Sequence, residues 1–426
     1  MSDRRARTTY EAESPYAWAR LLALLALMTL GGVGMYSITV VLPLVQAEFE
    51  VSRGTASLPY TLTMVGYGLG GVLMGRLADR VGVMVPVMGG AFALALGFVI
   101  AGTTHTFLVF MLAQGLLVGL LGTSSTFAPL VADVSMWFNR RRGIAVAIVA
   151  CGNYTAGTLW PLILQHFFDN YGWRHTYYGI AAFCFLAMIP LALVLRPRPP
   201  LQASDEAHGA GTVARHGHAA VDTSRPLGFS PATLQILLCI AGTATCVAMS
   251  MPQVHIVAYC GDLGFGAARG AEMLSLMLGC GIISRLASGW LSDRIGGLRT
   301  LLLNSSLQAF ALVLFFSFDS LTSLYVISVM FGLFQGGIIP SYAIIVREYF
   351  PPSQAGAKVG VVLMATLFGM ALGGWMSGAI FDLTGSYGAA FANGIGWNLL
   401  NIVIVVELLR RARGHHAGPR GAANAA

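Results

Sequence analysis

The sequence predicts an all-α membrane protein with twelve transmembrane helices in two pseudo-symmetric six-helix halves. Three observations carry this: long uncharged apolar runs, basic residues confined to one side of them, and a motif repeated in both halves. The chain has 426 residues, of which 56% are hydrophobic and 10% charged, whereas a soluble domain carries about a quarter charged residues. Several runs exceed the ~18 apolar residues that cross a hydrocarbon core of about 30 Å. They lack the period-2 alternation of barrel strands, so helices are the spanning form.

The elements follow in order. A polar arm (1–16) precedes the first apolar run, which continues far beyond the core of a secretory signal, so no cleaved leader is expected. Spans are placed at 17–44, 57–77, 84–103, 107–132, 143–167 and 175–195, giving an N-terminal half over 17–195. The stretch from Arg196 to Pro226 is rich in Pro, Gly, Ala and His and reads as a flexible linker, bounded here as 196–231. Spans at 232–259, 270–291, 299–318, 321–346, 356–381 and 387–409 form the C-terminal half over 232–409, and a basic tail (410–426) follows.

With this layout nearly all of the 25 basic residues fall on the side of the termini and linker. Only Arg53, Arg174 and Arg269 fall on the other side, and Arg285 lies within a span. The positive-inside rule puts both termini and the linker in the cytoplasm. The net charge of +7 is therefore a topology signal, and because the arginines are split among short loops no nucleic-acid partner is expected.

The repeat pairs GRLADRVG (75–82) with GWLSDRIG (289–296), as Gly-x-Leu-x-Asp-Arg-x-Gly. RRRGIAVA (140–147) corresponds to AGAKVGVV (355–362), and FDNYG (168–172) to FDLTG (381–385). Two six-helix units of the same orientation are related by an axis along the membrane normal, with the substrate path between them.

The repeated motif resembles the loop signature of the major facilitator superfamily. WFNRRRGIA (137–145) and YGWR (171–174) are similar to segments of the monocarboxylate transporter family, and YSITVVLPLVQAEFEVSR (36–53) and MPQVHIVAYCGDLGF (251–265) resemble its bacterial branch, related to oxalate–formate antiporters. The resemblance implies a carrier in a bacterial inner membrane that moves a carboxylate by alternating access. It further implies that the loops bearing Asp79, Arg80, Asp293 and Arg294 latch one face of the carrier, with Asp133 as a further member of that network. An acid at a helix end accepts hydrogen bonds from a neighbouring helix N-terminus, and contacts made in one arrangement of the halves bias the equilibrium between two.

Arg285 lies eight residues before Asp293, about 12 Å from the helix end and near mid-membrane. A charge there costs at least about 3 kcal/mol, and no acid occurs at similar depth in the first, fifth, seventh, eighth or eleventh span. Gly281 stands where many relatives carry an aspartate. A guanidinium without a resident counter-ion suits an incoming carboxylate, which it holds by two parallel hydrogen bonds; the resemblance gives the helix-8 arginine that role. No lysine occupies the eleventh span near Thr366, and Tyr36 stands where animal relatives have one. One deep positive charge favours a monocarboxylate.

Tyr36, Phe127, Asn153, Tyr154, His255, Tyr259, Gln335 and Tyr342 are the candidate polar and aromatic cavity residues. His255, titrating near pH 6.5 when unperturbed, is the candidate for a coupled proton; a counter-anion is the alternative. The stretches GYGLGGVLMG (66–75) and GMALGGWMSG (369–378) let helices approach closely. The six cysteines lack metal-ligand spacing, so no metal is expected. With no phosphate loop, neither ATP nor another cofactor is expected, and an enzyme is not the reading. Exchange of mono- or dicarboxylates, proton-driven drug efflux and a non-transporting sensor on the same fold are the alternatives.

Overall fold

The computed structural model describes residues 12–197 and 226–417. Most of the expected linker and much of both terminal arms lie outside the described residues. Among these residues every regular element is helical.

Twelve helices cross in sequence: α1 Pro15–Glu48, α2 Leu58–Val81, α3 Met84–Thr103, α4 Phe107–Trp137, α5 Arg142–Tyr171, α6 Trp173–Val194, α7 Pro231–Asp262, α8 Ala267–Ile295, α9 Gly297–Ser317, α10 Leu321–Tyr349, α11 Pro352–Thr384 and α12 Tyr387–Ala417. Among the described residues eleven are long and apolar enough to span a membrane. The other is α2, whose tyrosines, threonines and glycines dilute its hydropathy. α12 runs past the expected boundary at 409 into the expected tail.

Helix ends follow local chemistry. Ser14 and Ser230 cap α1 and α7 through their hydroxyls, each ahead of a proline in the first turn. The last glycine of the repeated motif, Gly82 after α2 and Gly296 after α8, has φ of 90° and 85°. Those are conformations a Cβ resists, so the motif ends on glycine in both halves.

α4 is irregular. It is π-helical over Ala113–Gly122 and 3-10 over Thr123–Thr126 before resuming at Ala128. Glycines on this segment let it press against α2: a Cβ on Gly119 would lie 2.7 Å from the Thr63 carbonyl oxygen. Ser125 and Thr126 donate to the carbonyls of Gly122 and Thr123, at 2.7 and 2.8 Å, satisfying backbone groups the altered winding leaves open.

The two halves meet along two main seams, α5 against α8 and α2 against α11. The glycine stretches serve both kinds of packing. Gly66 and Gly70 seat α2 on α4 within its own half, while Gly68 meets Met364 and Leu367 of α11. Gly369 and Gly373 seat α11 on α7, and Gly374 and Gly378 meet Tyr60, Arg53 and Ser57 across the seam.

Candidate functional site

Between the halves lies a cavity of about 300 Å³. Tyr36, Phe127, Asn153, Tyr154 and Arg285 line it, as the sequence reading places them. Tyr67, Ser124, Gln253 and Thr366 add polar groups, and Met35, Met249, Met364 and Met370 add soft apolar ones.

Arg285 is half-buried. Its Nη1 donates to the Ala150 carbonyl at 2.9 Å, and its guanidinium carbon lies 4.7 Å from the centre of the Tyr154 ring. Its Nε is buried with no hydrogen-bond partner. Among the described residues no carboxylate forms an ion pair with it. Two contacts thus fix the guanidinium, and its Nε donor, on the edge where two N–H groups run parallel, has no protein partner. A buried unsatisfied donor on a charged group costs free energy that a ligand's oxygens recover.

Gly281 is part of this arrangement. The Tyr154 ring lies on it, and a Cβ there would stand 2.7 Å from Tyr154 Cδ1. The ring that supports Arg285 therefore occupies the space an acidic side chain at position 281 would need. On the other flank Tyr36 packs over Gly157, where a Cβ would lie 2.6 Å from Tyr36 Cζ. Gln253 donates to Gln335 Oε1 at 2.9 Å, so Gln335 sits behind the wall that Gln253 presents, with its own Nε2 unpartnered.

His255 and Tyr342 do not line the cavity. The Tyr342 hydroxyl donates to Asn401 Oδ1 at 2.8 Å, and Asn401 donates to Ser305 Oγ at 2.8 Å, tying α10, α12 and α9 together. His255 lies toward the α1–α2 face in a network that crosses between the halves. Arg53, at the start of a one-turn helix between α1 and α2, is buried and bridges to both oxygens of Asp262 at the end of α7. The backbone N–H groups of Arg53 and Gly54 donate to Asp382 of α11 at 2.8 and 2.7 Å. The Arg53 guanidinium stacks 4.3 Å above the Phe381 ring and donates to the Tyr387 hydroxyl at 3.0 Å. That hydroxyl lies 3.0 Å from His255 Nδ1, and His255 Nε2 lies 2.8 Å from the Gly374 carbonyl oxygen. A carbonyl only accepts, so Nε2 carries the hydrogen and Nδ1 accepts from Tyr387. Tyr259 packs edge-on against Tyr387 at 5.4 Å.

On the opposite, α2–α3 face, Asp79, Arg80, Asp293 and Arg294 are exposed and enter no ion pair among the described residues. Arg294 instead stacks on Trp290 at 3.9 Å. Asp133 lies apart from these loops: it holds Arg20 of α1 by two bonds of 2.8 Å, both residues buried, so the pair joins α1 to α4 within one half. Contacts to helix N-termini are made by other acids. Glu348 accepts from Gly297 N at 3.0 Å, and Glu13 accepts from Arg141 N at 2.9 Å and Arg140 N at 2.7 Å. Those amides hold the Glu13 carboxyl below the usual carboxylate range, the Arg141 N–H most strongly. Contacts through Arg53 thus join the halves on the α1–α2 face, whereas the four motif charges on the α2–α3 face make no ion pair among the described residues.

Comparison with known proteins agrees with this architecture. Monocarboxylate transporter 13 of Rattus norvegicus is 28% identical over 355 residues, 81% of this chain and 78% of that protein. The MFS-type transporter pynF of Aspergillus niger is 24% identical over 80% of this chain and 76% of its own length. A solved bacterial homolog to the human lysosomal transporter Spinster, inward-facing and unoccupied, superposes with a TM-score of 0.67 at 17% identity, covering 94% of this chain and 96% of that one. The peptide transporter POT in complex with sulfate superposes with a TM-score of 0.70 at 14% identity, covering 93% and 94%. The family profile described as Major Facilitator Superfamily matches residues 22–323 and 238–425, reaching across both six-helix bundles and the cavity they enclose, and the chain belongs to that superfamily.

Proposed function

We propose that the protein is a secondary carrier of a small organic monocarboxylate, holding the carboxylate on Arg285 and exposing the site to either side by alternating access. The observation that carries this is a cavity-lining guanidinium, Arg285, braced by Tyr154 and the Ala150 carbonyl, with a buried Nε donor that has no protein partner and without a resident acid. The similarity to a protein named a monocarboxylate transporter supports the same cargo. A single cation in the wall matches one carboxylate.

The positive-inside reading assigns the α2–α3 face to the cytoplasm, and the resemblance to a bacterial branch supports a bacterial inner membrane. In this reading the Arg53 network shuts the outer face and the carrier is captured open inward. The acids Asp79 and Asp293 make no ion pair here among the described residues, which this reading explains by a latch formed in the opposite state.

His255 couples the gate to a proton. In the closed network Tyr387 donates to His255 Nδ1 while accepting from Arg53. A proton on Nδ1 removes the acceptor of the phenol hydrogen and sets an imidazolium and a guanidinium on one oxygen. Asp262 and Asp382 oppose this in part, since both carboxylates also face Arg53 or its backbone. Protonation therefore weakens the outer closure.

The test is uptake of radiolabelled mono- and dicarboxylates into proteoliposomes. Arg285→Lys should reduce transport of every carboxylate at least about tenfold, because a point charge cannot supply the planar fork. Unchanged transport by this variant would remove the anion site.

A further inference from the structure

The wall of the cavity is chemically lopsided, and this deepens the anion-site reading on which it rests. Arg285 is the one formally charged residue among those lining it. It sits on the α5–α8 seam, fixed to Ala150 and Tyr154 of α5. The opposite seam, between α2 and α11, contributes Tyr67, Gly68 and Gly71 from one side and Leu363, Met364, Thr366 and Leu367 from the other, an uncharged wall in which the Tyr67 and Thr366 hydroxyls are the polar groups. The Tyr67 ring packs 6.0 Å from Phe127, so the apolar end also has aromatic surface. The cavity therefore has a cationic pole at one seam and an uncharged, largely apolar pole at the other.

Size sharpens the point. About 300 Å³ is the liquid share of roughly ten waters at about 30 Å³ each. A two- or three-carbon acid held by Arg285 would leave the apolar pole filled with water that has few partners there. Water of that kind is displaced favourably by an apolar group. The methionines suit a variable body, because an unbranched thioether side chain repacks around different shapes and contacts ring edges well. A second carboxylate would meet no cation at that pole, and burying it unpaired is costly.

We infer that the preferred substrates are monocarboxylates with an aromatic or similarly bulky apolar body, carboxylate on Arg285 and body against the α2–α11 seam, and that short acids and dicarboxylates are poor substrates. Gly71 provides a direct handle. It lines the apolar pole, and a Cβ there would meet only Ala128 Cβ, at 3.9 Å, so a larger side chain has room at the backbone and intrudes on the substrate's body.

The experiment measures initial uptake of phenylacetate, pyruvate, lactate and oxalate by the full chain in proteoliposomes, for the native protein, Gly71→Leu and Arg285→Lys. The expected result is a kcat/KM for phenylacetate at least tenfold above that for pyruvate or lactate, with negligible oxalate transport. Gly71→Leu should cut the phenylacetate-to-pyruvate ratio at least tenfold. Equal or better transport of the short acids, still abolished by Arg285→Lys, overturns the bulky-body assignment and leaves the anion site standing. If Gly71→Leu does not insert or fold, phenylacetate inhibition of pyruvate uptake decides: inhibition at concentrations at least tenfold below those of lactate supports the assignment, and equal potency overturns it. Carboxylate transport that ignores Arg285→Lys removes both readings.

Discussion

At the scale of the residue, the site is a three-part fitting of Gly281, Tyr154 and Arg285. The glycine makes room for the ring, and the ring supports the guanidinium. A cation over an aromatic face contributes about 0.5–2 kcal/mol. Tyr154→Leu should therefore raise the KM for carboxylate by about two- to thirtyfold, while Tyr154→Phe should stay within about twofold of native. Steady-state uptake measures this, and a Phe variant as impaired as the Leu variant would transfer the role from the ring to the hydroxyl. Arg285 was legible in the sequence because a charge inside an apolar run has no cheap structural use. Tyr36, Phe127, Asn153 and Tyr154 were candidates as polar or aromatic groups within the membrane spans. Gln253 and Tyr67 were not singled out, since a neutral polar residue in a membrane helix has the same sequence signature whether it faces a cavity or a neighbour. His255 was visible as a titratable group, but its location was not: its partner Tyr387 is 132 residues away.

At the scale of the element, the closed face depends on short segments meeting end to end. The one-turn helix at Arg53 enters the pocket between the ends of α7 and α11, where Asp262 and Asp382 receive it. Both acids face solvent, so each contact is discounted for screening and contributes about 1 kcal/mol. Asp382→Asn should shift the population about fivefold away from the closed outer face. Spin labels at the exposed positions His105 and Leu383 should then show a longer-distance component growing at the expense of the native one; an unchanged distribution would remove Asp382 from the closure. The sequence announced the loops of Asp79 and Asp293 through their repetition. It gave no sign of the Arg53 network, which is assembled from three distant segments with no shared motif. The π-helical turn of α4 was equally hidden, because its cause is tertiary: glycines there are pressed against α2 and α3.

At the scale of the whole molecule, twelve spans and two halves were legible because hydrocarbon permits few solutions, and the motif glycines Gly82 and Gly296 repeat in conformation as they repeat in sequence. Which face is shut was not legible, since both states share one sequence and differ in contacts between halves. Coupling belongs to this scale. His255→Asn preserves a donor toward Gly374 but offers no ring nitrogen to take up a proton. It should abolish accumulation of carboxylate driven by a pH gradient while preserving exchange between inside and outside substrate. The check is paired uptake and counterflow in the same vesicles; accumulation that persists in the variant would move the proton elsewhere.

The most direct measurement is equilibrium binding of a radiolabelled monocarboxylate to the purified protein, native against Arg285→Lys, with folding of both confirmed by matching thermal unfolding. Saturable binding by the native protein is expected, displaced by other monocarboxylates and at least about tenfold weaker in the variant. Equal affinity in two equally folded proteins would contradict it.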